Sequence, residues 1–232
     1  MKKIRGIKID GDFVFLNPHH FDVLRIKEGE KVRALLPDGN FAIVEVIDEK
    51  SKKAKILEII KPIEKKVKIN CAIPLLKKEK TEKIVEFLSL IGVEEIIILI
   101  TQRSEVKPTK DKQEKIKDRL KRISLENSRI SGVKTPKIER FVKLEDLAEL
   151  EFQEKIVFWE NSSQKITKEI IEEIFSKSEN LIFAVGPEGG FAEEEIELLR
   201  KFGWKDFTIG EKILTAELFP VYMVSIFDFL AE

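Results

Sequence analysis

Apolar and polar positions follow two different periods in the two parts of this chain. Over roughly the first 60 residues, short runs alternate every second residue and are broken by turn residues. Ile4 to Ile9 and Asp12 to Leu16 flank Gly11. Lys31 to Leu36 and Phe41 to Ile47 flank Pro37-Asp38-Gly39-Asn40, and Lys53 to Ile60 follows. Such runs joined by Asp-Gly turns are antiparallel strands and hairpins, and together they predict a small β-barrel. About 65 residues bury only a marginal core, so support from the remainder of the chain is expected.

Beyond residue 66 the runs become continuously apolar and alternate with helical periods. Val67 to Ile73, Glu95 to Ile100, Lys155 to Phe158, Leu181 to Val185 and Asp206 to Ile209 read as buried strands. Between and after them, helices are predicted over Glu79 to Ile91, Lys110 to Ser131, about Lys165 to Ser176, Glu193 to Phe202 and Leu218 to Leu230. In the first, Ile84, Phe87, Leu88 and Ile91 are expected to face inward; in the second, Ile116, Leu120, Ile123 and Ile130. Wholly apolar strands alternating with helices define an α/β fold with a parallel sheet covered on both faces. Two domains are expected, 1–66 and 67–232, joined by the linker Lys61-Pro-Ile-Glu-Lys-Lys66. The last helix is apolar nearly all round and is expected to be buried, with Pro220 in its first turn.

Composition narrows the classes. The 232 residues carry 42 Lys and Arg against 42 Asp and Glu, so the net charge of zero gives no global signal for a polyanionic partner. The distribution is uneven. Arg103 to Arg140 holds thirteen Lys/Arg against six Asp/Glu, whereas Leu181 to Glu232 holds four against ten. A single cysteine, Cys71, lies in an apolar run; it excludes a disulfide framework, reads as core filler and points to a reducing cytosol. No metal-ligand spacing, secretory leader or membrane-length apolar run is legible, so neither metal nor membrane is expected.

The chemistry concentrates in Leu181-Ile-Phe-Ala-Val-Gly-Pro-Glu-Gly-Gly-Phe191, followed by Ala192 and the acids Glu193, Glu194 and Glu195. A strand running into a glycine-rich turn and a helix start is where open α/β sheets bind nucleotide-like ligands. Yet the string is neither a dinucleotide fingerprint nor a P-loop. Three acids at the helix start suit its positive end and repel phosphate. A ligand without phosphates fits better, and S-adenosylmethionine, a cationic sulfonium on an adenosine, is one.

Gly186-Pro-Glu-Gly-Gly-Phe191 with Glu195, then Ile209-Gly-Glu-Lys-Ile-Leu214, resembles the RsmE family of 16S rRNA uracil-N3 methyltransferases in the SPOUT superfamily. The likeness continues in His20-Phe-Asp-Val-Leu-Arg25 with Gly29-Glu30, in Thr101-Gln-Arg-Ser104, and in Ser128-Arg129 with Pro136, all in the family's order. The resemblance implies a PUA-like, RNA-associated barrel followed by a SPOUT-type sheet with a C-terminal deep trefoil knot, where fold frequencies alone favour an unknotted sheet. It implies S-adenosylmethionine as cofactor, enclosed by three loops (the segment after Phe158 with Trp159 and Glu160, Gly186 to Gly190, and Ile209 to Leu214) and held by Trp159, Gly186, Pro187, Glu188, Gly189, Gly190, Ile209, Gly210, Ile213 and Leu214. Gly189→Val is accordingly expected to abolish cofactor binding while the protein stays folded.

For catalysis and substrate the resemblance implies Glu217, Arg129 and Arg103. Glu217 would orient the uracil or assist proton transfer, or serve as a structural acid binding helix amides. The two arginines would contact RNA, or form surface ion pairs. The implied partner is 16S rRNA or the small ribosomal subunit, with a homodimer formed through the C-terminal helix. The chain departs from the family pattern at Thr215 and Leu218, where the family has Arg and Thr, and at Ala192, where a Ser or Thr helix cap is usual. A methyltransferase of another RNA and a catalytically silent RNA-binding homodimer remain open at this point, and a nicotinamide oxidoreductase stands well behind them.

Overall fold

A computed structural model describes residues 1–61, 63, 65–77 and 79–231. Two compact units are present: Met1–Glu64 with Glu126–Lys134, and Lys65–Leu125 with Thr135–Glu232. Positions 62 and 64 of the expected linker lie outside the described residues.

In the first unit, β1 (Lys3–Asp10), β2 (Phe13–Leu16), β3 (Lys31–Leu35), β4 (Phe41–Asp48) and β5 (Lys53–Ile60) form a closed barrel in the order β1-β2-β5-β4-β3. Neighbours are antiparallel except β1 and β3, whose parallel pairing (Lys3 to Arg33, Ile4 to Ala34) closes the ring. Alternation places Ile4, Val14, Leu16, Val32, Val44 and Ala54 inside. A helix absent from the sequence reading, α1 (Pro18–Val23), adds Phe21 to this core. Its start was nonetheless written in the chain. Asn17 is the N-cap, its Oδ1 accepting from His20 N at 3.0 Å, and Pro18 follows where a missing N–H costs nothing.

The second unit carries β6 (Lys68–Pro74), α2 (Lys80–Ile91), β7 (Glu95–Ile100) and α3 (Lys110–Ser131), whose last residues fall in the first unit. Then come β8 (Phe141–Lys143), α4 (Leu144–Ala148), β9 (Glu154–Phe158), α5 (Lys168–Lys177), β10 (Asn180–Val185), α6 (Glu193–Lys201), β11 (Lys205–Phe207) and α7 (Leu218–Leu230). The six strands form a parallel sheet in the order β11-β9-β10-β6-β7-β8. Successive residues serve opposite faces. Cys71, Ile73, Ile96, Ile98 and Phe183 pack with α2, α3, α5 and α7, whereas Ala72, Ile97, Leu99 and Ile182 pack with α4 and α6. This two-sided burial explains the continuous apolar runs.

Three helix faces differ from the sequence reading. In α2 the buried positions are Thr81, Ile84, Val85, Leu88 and Ser89, and Phe87 is exposed. Phe87 lies roughly 110° round the helix from the centre of Thr81, Ile84, Val85 and Leu88, beyond the stripe the sheet covers. In α3, Leu120 is buried, but towards the end Ser124 and Ser128 take the buried positions and Ile130 is exposed. In α7 only Pro220, Met223, Val224 and Phe227 are buried, leaving Phe229 77% and Leu218 50% exposed.

Candidate functional site

The loops after β9, β10 and β11 leave the C-terminal ends of three neighbouring parallel strands, where open α/β sheets place ligands. They enclose a cleft of about 580 Å³. Its lining includes all ten residues assigned from the sequence to the cofactor, together with Glu217. It also includes Glu160 and Lys212 from the expected loops, and Lys80 and Thr208, which the sequence reading did not place there.

The glycine loop turns tightly, with Gly190 N donating to Pro187 O at 2.9 Å. Gly190 has φ +65°, and a Cβ there would stand 2.5 Å from Glu160 Oε1. A Cβ on Gly186 would stand 3.1 Å from the Gly190 carbonyl carbon, a backbone atom with no freedom to swing away. Gly189 is different. Its added Cβ would meet only Arg103, at ordinary contact distance. The strict demand for glycine therefore falls on Gly186 and Gly190.

Ala192 supplies no side-chain cap to α6, and Glu195 provides only the other half of a capping box by accepting from the Ala192 amide. Glu195 is 8% exposed, and its carboxylate accepts from Ala192 N at 2.8 Å through Oε2 and from Gln102 N at 2.8 Å through Oε1. One acid thus ties the start of α6 to the loop after β7. That loop is a closed turn, in which Ser104 Oγ accepts from Thr101 N at 2.9 Å and Ser104 N donates to Thr101 O at 3.2 Å. Arg103 is presented at its tip, and its Nη1 donates to Gly189 O at 2.7 Å.

Across the cleft, Lys80 at the start of α2 donates to Glu188 Oε1 at 2.9 Å and lies 3.5 Å from Glu217 Oε2. Burial alone pushes the Glu188 carboxyl up, but the Lys80 hydrogen bond, a backbone N–H and lysine charge outweigh it. The carboxyl settles below the ordinary glutamate value. The Glu188 hydrogen bond in turn holds the Lys80 ammonium above its usual value. Glu217 is the N-cap residue of α7 but makes no side-chain capping bond, and Thr215 O instead accepts from Leu218 N and Phe219 N. The capping role open to it from sequence is therefore not the one it fills.

Trp159 meets the cleft from a strand end whose amide donates to Phe207 O at 2.9 Å, while its side chain packs with Leu199, Trp204 and Phe191 on the other sheet face. Arg129 belongs to the first unit. Its guanidinium is engaged there by His20 and by Glu126 Oε2 at 3.2 Å. Many cations of the basic middle segment are ion-paired: Arg119 with Glu82, Lys121 with Glu139, Lys117 with Glu114 and Arg140 with Glu95. Cys71 is fully buried, and burial pushes its thiol well above the usual value, which leaves core packing as its role. Among the described residues no group of three or more His, Cys, Asp or Glu could hold a metal ion, and no helix is long and apolar enough to cross a membrane.

Residues 63–228 match the RNA methyltransferase domain family, and residues 19–60 match the RNA methyltransferase PUA domain. The chain therefore belongs to the RNA methyltransferase domain family. Within it, the resemblance to RsmE-type members is borne out. The ribosomal RNA small subunit methyltransferase E of Mesomycoplasma hyopneumoniae is 29% identical over 90% of each chain. A methyltransferase of Legionella pneumophila, solved with its bound cofactor SAM, aligns with a TM-score of 0.81 at 24% identity, covering 98% of this chain and 97% of that one. The ribosomal RNA small subunit methyltransferase E of Neisseria gonorrhoeae, solved bound to S-adenosyl methionine, gives 0.81 at 21%, covering 96% and 95%. At these identities the two structures speak for the fold: the parallel sheet and the closed N-terminal barrel.

Proposed function

We propose that this chain is an S-adenosylmethionine-dependent methyltransferase that makes N3-methyluridine in the 16S rRNA of the small ribosomal subunit. It would act in the cytoplasm as a homodimer through α7, with the C-terminal part of the sheet domain drawn into a deep trefoil knot. The observation that carries this reading is the convergence of all ten expected cofactor residues on one cleft.

The residues present fit this cofactor. The cleft lies within the range of about 300–1,000 Å³ typical of small-molecule sites. Phe158, Ile209, Leu214 and Phe219 give it apolar walls for an adenine, and the loop main chain offers groups for its polar edge. Glu160, Glu188 and Glu217 suit a cation. The two lysines of the lining are already engaged: Lys80 pairs with Glu188, and Lys212 stands over the Tyr222 ring at 4.9 Å. When bound, the cofactor supplies an electrophilic methyl group on a sulfonium.

The chain's part is to hold the acceptor and manage its proton, because N3 of uracil carries a hydrogen that must leave as the new bond forms. Glu217 orients the base or takes that proton. Arg103 spends one nitrogen on Gly189 O, and its remaining donors serve an RNA phosphate or base edge. Arg129 contributes to RNA contact from the barrel unit, consistent with a basic residue close to His20.

The test is incubation with methyl-labelled S-adenosylmethionine and, separately, naked 16S rRNA, small subunits and tRNA from a strain lacking the homologous enzyme. Mapping by mass spectrometry follows. N3-methyluridine in the small subunit is expected. Label confined to tRNA would replace the substrate, and cofactor binding with no label on any RNA would leave a silent binder.

A further inference from the structure

Lys80 was invisible as a functional residue in the sequence, where it is one of several lysines ahead of an ordinary helix. The fold gives it a particular place. It opens α2, and its ammonium lies between two acids contributed by different walls of the cleft. Glu188 comes from the glycine loop after β10, and its Oε1 accepts from Lys80 Nζ at 2.9 Å. Glu217 comes from the segment entering α7, and its Oε2 stands 3.5 Å from the same nitrogen, with no hydrogen-bond partner of its own.

Two carboxylates brought to one cleft repel each other unless a cation stands between them. Among the described residues, Lys80 alone is ion-paired with either acid. The glycine loop is otherwise fastened by its own turn and by Arg103 at Gly189 O. Among the described residues no other hydrogen bond or ion pair links Glu188 to the segment entering α7.

We infer that Lys80 is a positioning residue of the methyl-transfer site, bracing the glycine loop against the entry to α7 by holding Glu188 and Glu217 at a fixed separation. This rests on the functional reading above. Lys80 touches neither donor nor acceptor in that scheme; it acts through the two acids. Its loss frees both walls of the cofactor cleft, so the cofactor binds less tightly and a larger share of the defect appears in KM for the cofactor than in kcat.

The test compares wild type, Lys80→Met, Lys80→Arg, Glu188→Gln and the Lys80→Met/Glu188→Gln double variant by calorimetric titration with S-adenosylmethionine, alongside KM, kcat and melting temperature. Because the pair is partly exposed, Lys80→Met is expected to weaken binding by roughly three- to tenfold. Melting temperature should hold, and Lys80→Arg should recover most of the affinity. The double variant should cost less than the two single losses combined, since the partners act as one unit. Wild-type affinity in Lys80→Met overturns the inference. So does a loss that Lys80→Arg repeats in full, or one that simply adds to that of Glu188→Gln. Wild-type protein that fails to bind S-adenosylmethionine overturns the functional reading itself, and this inference with it.

Discussion

Arg129 Nη1 lies 2.8 Å from His20 Nδ1. A guanidinium has only donors, so the imidazole must offer a lone pair at Nδ1 and keep its hydrogen on Nε2. His20 is thus held neutral, and burial first, then the Arg129 charge, lowers its pKa from the ordinary value of 6.5. Two motif residues far apart in sequence define one another's state.

The sign of the resulting pH dependence follows. As pH falls through about 6.5, His20 in the unfolded chain takes up a proton that the folded chain resists. The unfolded state then binds more protons, so this contribution to stability is complete above that pH and declines below it, towards the lower folded value. The wild-type urea midpoint should drop between pH 7.5 and 5.5 by more than that of His20→Gln, which keeps an acceptor for Arg129 without a titrating ring. Parallel curves for the two proteins would contradict the assignment.

Glu195 offers a cleaner stability test. Glu195→Ala leaves Ala192 N and Gln102 N without their acceptor and should cost about 2–3 kcal/mol. Introducing Ala192→Ser into that variant supplies a side-chain cap that the wild type lacks and should return about 1 kcal/mol. Denaturant titration of the three proteins decides both points.

Within the glycine loop the positions should separate. Gly190→Ala forces an L-residue into left-handed backbone at a cost of about 1–2 kcal/mol. Gly186→Ala drives its Cβ towards fixed backbone. Gly189→Ala meets only ordinary contacts, so it should bind S-adenosylmethionine nearly as wild type does, while the other two lose affinity. A larger residue is a separate case: Gly189→Val should disturb Arg103 and abolish binding. Calorimetric titration of the four variants ranks them, and unchanged affinity in Gly189→Val would count against the placement of the loop.

Thr215 lines the cleft, yet Thr215→Arg, which brings in the family's residue, should not abolish activity, and loss of cofactor binding in that variant would count against the placement of the loop. The Thr215 side chain is exposed and makes no hydrogen bond, its carbonyl being the group that serves α7. The same titration reports the outcome.

Phe229→Asp tests the proposed dimer. An exposed phenylalanine near the end of an otherwise apolar helix is costly to leave in water. The substitution should shift the protein towards monomer in light-scattering chromatography, and an unchanged mass in both proteins would remove α7 from the interface.

Much of this architecture was legible because burial on two sheet faces leaves a continuous apolar run, as in Glu95 to Ile100, and because α3 and α7 are long enough to be recognised as helices, although their buried faces are not wholly the ones expected. The short elements were not. β8 spans Phe141–Lys143 and α4 spans Leu144–Ala148, too few residues for either period to declare itself. The glycine loop could be read because its backbone conformation restricts residue type. Lys80 and Glu195 owe their places to partners 108 and 93 residues away, and spacing along a chain does not encode such distances.

Four residues of the cleft lining, Gly186, Gly189, Gly190 and Gly210, have no side chain and present only main chain to it. Recognition written in the course of a backbone is inherited differently from recognition written in side chains. Neighbouring residues such as Thr215, Leu218 and Ala192 can drift while the path of the chain endures, so lineages that share few letters can still share one pocket.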